Sequence, residues 1–467
     1  MRVHFVGVGG VGLSAMARVL IERGFAVSGS DRAANVYTDA LRRDGAAISI
    51  GHDAAHIAAA DLVIVTSAVN AENPEIAAAR ARGIPVYKRA DIIMDVIGAG
   101  LPPDEAQRPF VIAIAGTHGK TTTTGMIAHM LIESGLNPGY IIGGTLSTTG
   151  TNGAAGAGRL FVIEADEYDN MFHGLRYDLA VITNVEWDHP DFFRTEDALF
   201  ESFRRFLVGS RTAKAHVALC GDDRGAARLY NMVDDHAIGI RTYGSGTMTD
   251  LRLEADGTAI FRLAGTDITM RLALPGMHNL LNALGALQAL FMLHGFFARI
   301  DQATLERAAA ALATFKGTGR RFERMGEMGG VIVINDYAHH PTAIRATLAA
   351  ARERFPGHAL WAVWQPHTYS RTRALWDTYL VAFDQADHAL VTDIFAAREA
   401  PEAGITAARF VDELARLHPS AHHAASLDDA ARHLIESVQP PAVIVIMSAG
   451  DAPKIGDLFL RGRVEGA

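Results

Sequence analysis

The sequence predicts an α/β protein of three domains, each built on a largely parallel sheet. Short apolar, β-branched runs alternate with helical patterns along the chain, as strands joined by crossover helices do. Polar clusters repeatedly follow the apolar runs, which is where open parallel sheets build their sites. At 467 residues the chain exceeds one ordinary core, and the length points to about three domains.

Val3 to Val6 form the first strand, and Gly7-Val8-Gly9-Gly10-Val11-Gly12 follows. Gly7, Gly9 and Gly12 satisfy G-x-G-x-x-G, a turn through which a diphosphate can approach a helix N-terminus. The amphipathic helix runs to Arg23, and Gly24 is its natural stop. A second strand, Phe25 to Ser28, leads to Asp31, where a ribose-binding acid belongs. The strand Asp61 to Thr66 ends in Thr66-Ser67-Ala68, small hydroxyl residues suited to line a crevice. Residues 1–100 therefore read as a Rossmann-like domain. The fingerprint does not say which nucleotide binds, and on its own suggests an NAD-dependent oxidoreductase.

Gly98 to Arg108 (GAGLPPDEAQR) has linker composition. The second domain, residues 108–313, opens with an apolar run ending at Ala115, then Gly116-Thr117-His118-Gly119-Lys120-Thr121-Thr122 and a helical pattern from Met126 to Glu133. Glycines there let backbone amides close around phosphate oxygens, Lys120 can reach terminal phosphates, and the Thr121 hydroxyl can ligate Mg²⁺. Ile114 stands where the first glycine of the common loop belongs, so the spacing is G-x-x-G-K-T. Gly143 to Gly158, rich in Gly, Thr, Ser and Ala, reads as a loop over a site or as a mobile surface insertion.

Leu160 to Ile163 is a strand ending in Glu164-Ala165-Asp166-Glu167-Tyr168-Asp169. Leu179 to Thr183 ends in Asn184-Val185-Glu186-Trp187-Asp188-His189. Acids and a histidine at strand ends downstream of a phosphate loop suit Mg²⁺. Strand-like segments lie around Ala259 to Leu274, and Pro275-Gly276-Met277-His278-Asn279 opens the helix Leu280 to Leu293. Asn279 is either its N-cap or, with His278 and Asn282, a nucleotide contact.

Thr314 to Glu323 breaks the helical period and carries Arg320 and Arg321, which suit a second linker with phosphate-binding capacity. The third domain, residues 320–467, opens with the strand Val331 to Ile334, which ends in Asn335-Asp336-Tyr337-Ala338-His339-His340-Pro341. The strand Leu360 to Trp364 ends in Gln365-Pro366-His367-Thr368-Tyr369-Ser370-Arg371. Strands His388 to Thr392 and Val443 to Met447 complete a second Rossmann-like α/β sheet.

A net charge of −9 and a pI near 6.1 argue against a nucleic-acid surface. The single cysteine, Cys220, allows neither an intramolecular disulfide nor a cysteine-based zinc site, which suits a reducing cytoplasm. The N-terminus carries no signal-peptide pattern. The most apolar window, Ala283 to Ala298, is interrupted by Gln288 and His294 and falls short of the ~20 residues of a membrane span, so no membrane insertion is expected.

Seven motifs in order make the chain resemble the Mur ligases of peptidoglycan synthesis: G-V-G-G-V-G-L-S from Gly7, A-G-T-H-G-K-T-T-T-T from Ala115, E-A-D-E from Glu164, P-G-M-H-N-x-x-N-A from Pro275, G-T-G-R-R-F from Gly317, D-Y-A-H-H-P from Asp336 and P-H-T-Y-S-R-T from Pro366. The resemblance implies three domains that bind UDP-N-acetylmuramate, ATP and the amino acid in turn, and an ATP- and Mg²⁺-dependent ligation proceeding through an acyl phosphate. It places Gly9, Gly10, Val11, Gly12, Asp31, Ser67 and His118 at the UDP-sugar. It places Gly116, Thr117, His118, Gly119, Lys120, Thr121, Thr122, His278, Asn279, Asn282, Arg321 and Asp336 at ATP. Thr121, Glu164 and His189 match the metal positions, with Glu167 a further participant. His340, His367 and Arg371 match positions beside the amino acid, and Lys120, His189, Arg321 and His367 the catalytic ones.

The motifs lean toward L-alanine as the amine. E-A-D-E-Y-D at Glu164 and E-W-D-H at Glu186 lean instead toward the sister enzyme that attaches a recycled L-Ala-γ-D-Glu-diaminopimelate tripeptide, so that amine remains the alternative. The partners implied are small molecules, with the chain a monomer or homodimer.

Overall fold

The computed structural model describes residues 1–67, 69–70, 72–102, 104, 108–233, 238–246, 249–253, 258–263 and 266–462. Ala68 of the expected crevice, Pro103 and 105–107 of the expected first linker, and 264–265 of the expected strand region lie outside the described residues. The chain forms two compact units: Met1–Glu186, Asp197–Ala273 and Leu281–Lys316 in the first, and Trp187–Glu196, Leu274–Leu280 and Gly317–Ala467 in the second.

The first unit holds two main sheets. Strands β1 (Arg2–Val6), β2 (Ala26–Asp31), β3 (Ala47–Ile50), β4 (Leu62–Val65) and β5 (Val86–Lys88) pair in parallel in the order β3-β2-β1-β4-β5. The connection reverses at β1, so the loop after it opens into the crevice of the sheet. The second sheet contains β6 (Phe110–Ala115), β7 (Gly139–Leu146), β8 (Thr151–Ala154), β9 (Leu160–Glu164), β10 (Tyr177–Ile182), β11 (Arg211–Cys220) and β12 (Gly239–Tyr243) in the order β12-β11-β10-β6-β9-β7-β8. β6 and β10 are buried along their whole length, as continuous apolar runs covered on both faces should be. A small antiparallel sheet of β13 (Thr249–Leu253), β14 (Thr258–Leu263) and β15 (Thr266–Arg271) lies in the same unit.

Two expectations fail. Gly143 to Gly158 is not a continuous loop: half of it belongs to the antiparallel pair β7–β8. Its small residues allow close packing, since a Cβ on Gly153 would come within 2.6 Å of the Ala15 carbonyl oxygen in the helix Val11–Glu22. Buried Asn152 donates to the Val11 carbonyl and the Ser14 hydroxyl, each at 2.8 Å. Asn279 is not a helix N-cap either, because the helix starts at Met277 and the Asn279 side-chain Nδ2 donates back to the Pro275 carbonyl at 2.7 Å.

The second unit is a six-stranded sheet of β16 (Glu323–Met328), β17 (Val331–Asp336), β18 (Ala359–Trp364), β19 (His388–Thr392), β20 (Ala421–Ala424) and β21 (Ala442–Met447), ordered β16-β17-β21-β18-β19-β20. All pairs are parallel except β16–β17. The unit thus opens with β16, one strand before the expected Val331, because the polar edge strand ERMGEM carries no apolar signal. Side chains alternate between two cores. Ile332, Ile334, Leu360, Trp364, Val443 and Val445 face one, and Val331, Val333, Val363, Ile444 and Ile446 face the other.

Candidate active site

The polar groups singled out from the sequence stand largely at carboxyl ends of parallel strands. After β6, Gly116 adopts φ 137° and Gly119 φ 80°, conformations that favour glycine. Gly119 caps the helix Lys120–Glu133, so the first amides of that helix open onto the loop. The end of β10 fixes the loop from the side. Asn184 Oδ1 accepts from the His118 amide at 2.8 Å and its Nδ2 donates to the His118 carbonyl at 3.0 Å. Thr183 Oγ1 donates to the same carbonyl at 2.6 Å, and the Thr117 hydroxyl donates to the Glu186 carbonyl at 2.8 Å. Asn282 closes the other side, since a Cβ on Gly119 would sit 2.3 Å from its Oδ1.

Lys120 lies folded over this loop. Its Nζ donates to Glu167 Oε1 at 2.9 Å, to the Gly116 carbonyl at 2.5 Å and to the Thr117 carbonyl at 3.2 Å. Burial disfavours its charge, but the Glu167, Asp166 and Glu164 carboxylates outweigh that and raise its pKa. Burial pushes the Glu167 carboxyl up to about 7 against the pull of Lys120. Thr121 Oγ1 donates to Glu164 Oε1 at 3.0 Å, and the Gly143 amide donates to Glu164 Oε2 at 2.6 Å. A hydroxyl and a carboxylate side by side form a hard-oxygen pair of the type Mg²⁺ prefers.

The glycine loop after β1 is equally built. Gly7 has φ 84°, and its amide and that of Val8 donate to the Ser30 carbonyl at 2.8 and 3.0 Å. Asp31 Oδ2 accepts from the Gly9 amide at 2.8 Å, and Asn35 donates to the Gly9 carbonyl at 3.1 Å. Gly10 caps the helix Val11–Glu22, so Val11 and Gly12 lie in its first turn. Ser67 is exposed and donates to Asp169 at 2.7 Å. Arg89, which no sequence motif marks, lies beside Gly12, where a Cβ would meet its Nη1 at 2.8 Å, and donates to the Glu164 carbonyl at 3.3 Å.

His189, His340, His367 and Arg371 come together in the second unit around Asp188. Arg371 Nε donates to Asp188 Oδ1 at 2.7 Å, with both side chains 4% exposed. Its Nη1 and Nη2 lie 3.1 Å from His367 Nδ1 and 3.3 Å from His189 Nδ1. A guanidinium only donates, so both Nδ1 atoms accept and the ring proton of each neutral imidazole rests on Nε2. Burial opposes ionisation of Asp188, yet Arg371, then His189, His339 and His340, hold its carboxyl well below the usual range. Burial, reinforced by His339 and Arg371, lowers His367 to about 3; burial and Arg371 lower His339 to about 4. His340 caps the helix Pro341–Arg354, accepting from the Thr342 amide at 3.4 Å, with its Nε2 3.3 Å from the Trp187 carbonyl. Asp188 and His339 belong to this cluster as well; the sequence places both in polar clusters at strand ends but assigns neither a role of its own.

Asp336, at the end of β17, accepts from the Phe322 amide and the Ala338 amide, both at 2.7 Å. It thereby anchors a turn in which Arg320 and Phe322 have φ 60° and 49°. The Arg320 and Arg321 guanidiniums lie 4.9 and 5.0 Å from the Tyr337 ring centroid. His278 stands beside Asn279 at the start of the helix Met277–His294. Thr121 and Glu164 lie in the first unit, and His189 in the second.

Residues 2–99 match the "Mur ligase family, catalytic domain", residues 114–290 the "Mur ligase middle domain" and residues 320–450 the "Mur ligase, glutamate ligase domain". The chain belongs to the Mur ligase family and has its three-part α/β architecture. Among its relatives, the UDP-N-acetylmuramate–L-alanine ligase of Roseiflexus sp. (strain RS-1) is 40% identical over 485 residues, covering 98% of each chain. The crystal structure of the UDP-N-acetylmuramate-alanine ligase MurC of Thermotoga maritima matches with a TM-score of 0.79 at 27% identity, covering 100% of both chains. A murein peptide ligase of Psychrobacter arcticus 273-4 matches with a TM-score of 0.71 at 25% identity, covering 99% of this chain and 98% of that one. Family membership sets aside the oxidoreductase reading of G-x-G-x-x-G. Among the described residues no helix is long and apolar enough to cross a membrane.

Proposed function

We propose that this chain joins L-alanine to the carboxylate of UDP-N-acetylmuramate, with cleavage of ATP to ADP and phosphate, as a step of peptidoglycan precursor synthesis in the cytoplasm. The carrying observation is full-length similarity to an L-alanine ligase combined with a formed phosphate loop bearing Lys120. The UDP-sugar is assigned to residues 1–100, ATP to 108–313 and the amino acid to 320–467. The recycled tripeptide is the less favoured amine, since the murein peptide ligase is the weaker of the two structural matches.

A carboxylate is a poor electrophile, so the first step makes it an acyl phosphate. A muramyl carboxylate oxygen attacks the γ-phosphorus, and the bond to the bridging oxygen breaks to release ADP. Lys120 would turn from Glu167 to the γ-phosphate, and the loop amides and Arg321 would spread the remaining charge. Thr121 and Glu164 would hold Mg²⁺, which supplies charge neutralisation on the phosphates, whereas His189, matched to a metal position by the sequence, has its Nδ1 engaged with Arg371. The amine nitrogen then attacks the acyl carbon, phosphate leaves with the electrons of the C–O bond, and the nitrogen sheds its proton.

With Nδ1 accepting from Arg371, His367 offers an Nε2–H donor and little basicity. Its assigned task is therefore to orient the amino acid, with a carboxylate oxygen as the fitting partner, rather than to take the proton. Phosphate release from ATP with UDP-N-acetylmuramate and Mg²⁺, with L-alanine or tripeptide added, tests the function. Turnover with L-alanine is expected. Turnover with tripeptide alone would reassign the amine.

A further inference from the structure

Glu75 is completely buried, yet it contacts neither the glycine loop nor any residue assigned to a substrate. Its position is set by Asn73, which caps the helix Pro74–Ala81 and accepts from the Glu75 amide at 2.9 Å. Three groups lie within hydrogen-bond distance of its carboxylate, and a fourth, His4, stands just beyond it. Ser30 Oγ donates to Oε2 at 2.5 Å, His52 Nδ1 lies 3.0 Å from Oε2, His56 Nδ1 lies 2.7 Å from Oε1, and His4 Nε2 stands 3.7 Å from Oε1. Burial works against the charge, but these four groups outweigh it and hold the carboxyl down at about 2. Glu75 is therefore an acceptor on both oxygens.

Ser30 connects this cluster to the loop. Its side chain is held by Glu75, and its backbone carbonyl accepts both the Gly7 and Val8 amides. The next residue, Asp31, holds the Gly9 amide. Gly29, just before Ser30, touches Val8 so closely that a Cβ there would lie 2.9 Å from the Val8 Cβ. The glycine loop thus rests on the end of β2, and the end of β2 is tied to Glu75. The His52 and His56 contacts join the segment after β3 to the same carboxylate. Moving Ser30 shifts the two amides that set where Gly9 and Gly10 present their backbone.

We infer that Glu75 is a positioning residue for the nucleotide-sugar site, holding the glycine loop in register through Ser30. The inference rests on the assignment of that loop to the UDP-sugar. Glu75→Gln keeps the shape but replaces one acceptor oxygen by an amide donor facing Ser30 and His52, or His56. The loop then loses its anchor while the ATP and amino-acid sites are unaltered.

The experiment is titration calorimetry with UDP-N-acetylmuramate, together with steady-state kinetics varying each substrate in turn. For Glu75→Gln, Kd and KM for the UDP-sugar should rise roughly five- to tenfold, with kcat at saturation and KM for ATP and L-alanine within about twofold of wild type. Ser30→Ala, which removes only the hydroxyl, should move the same two constants in the same direction and by less. Ile76→Val, a core change on the same helix, should lower the melting temperature and leave all KM values unchanged. If Glu75→Gln does not fold, Ser30→Ala carries the test. Unchanged UDP-sugar affinity in the folded variants, or a fall in kcat with KM constant, overturns the inference while leaving the ligase reading intact. Absence of UDP-N-acetylmuramate binding by the wild-type chain overturns both.

Discussion

Asp188 and Arg371 are 183 residues apart in sequence and 2.7 Å apart in the fold, as an ion pair with both side chains 4% exposed. The pair organises the second unit's polar centre, because the two remaining Arg371 nitrogens orient His367 and His189. Lysine has one compact charge and cannot replace the planar fork. Arg371→Ala leaves the Asp188 carboxylate buried without its main partner, and should destabilise by about 3–5 kcal/mol in denaturant unfolding. Arg371→Lys should recover part of that stability and little of the activity with L-alanine. Full activity in the lysine variant would show that the orientation of the histidines is immaterial.

The same cluster has a pH signature. His367 has a pKa of about 3 in the fold, below the ~6.5 of a free imidazole. Above pH ~6.5 neither state carries the proton, and the neutral ring adds no penalty. As pH falls from about 6.5 toward 3, the unfolded chain takes up a proton that the folded chain refuses, so stability is lost across that window. His367→Gln keeps an acceptor for Arg371 and cannot titrate. Its melting temperature relative to wild type should therefore rise on acidification from pH 7 to pH 5, read from paired thermal melts.

Lys120→Ala should reduce phosphate release on the order of 10³-fold, since it removes the cation proposed to turn to the transferred phosphoryl group. The fold should survive. Glu167, raised to about 7, can protonate and remain buried as a neutral acid once its partner is gone. Circular dichroism and a melt separate loss of chemistry from loss of structure. Near-normal turnover would remove the loop from the mechanism.

Gly119 is constrained twice, by φ 80° and by Asn282 Oδ1 at 2.3 Å from where a Cβ would stand. Gly119→Ala should raise KM for ATP at least tenfold, because the left-handed backbone costs about 1–2 kcal/mol and the clash adds to it. Combining it with Asn282→Ala relieves the clash alone. The double variant should bind a non-hydrolysable ATP analogue more tightly than Gly119→Ala only if the loss of the asparagine is small, and a double-mutant cycle measures that coupling.

His367→Ala should raise KM for L-alanine and spare acyl phosphate formation, followed as hydroxamate trapped by hydroxylamine. Loss of trapped hydroxamate would move His367 to the first chemical step.

The sequence by itself determined the α/β class, the two glycine loops and the polar clusters at strand ends. Each is a local pattern: an apolar run fixes a strand, glycines permit positive φ, and a helix N-terminus binds anions wherever it falls. The lysine, threonine and glutamate of the phosphate loop were therefore legible from Ala115 to Glu164. The tertiary structure alone decided which distant groups meet. Pairings such as Asp188 with Arg371, and the convergence of His4, Ser30, His52 and His56 on Glu75, follow from sheet order and strand register, which no local period encodes. It also turned half of the loop expected at Gly143 to Gly158 into strands, where the missing side chain of Gly153 serves close packing on the helix Val11–Glu22. Small residues read as flexibility in one dimension, and only a neighbouring surface turns them into an interface.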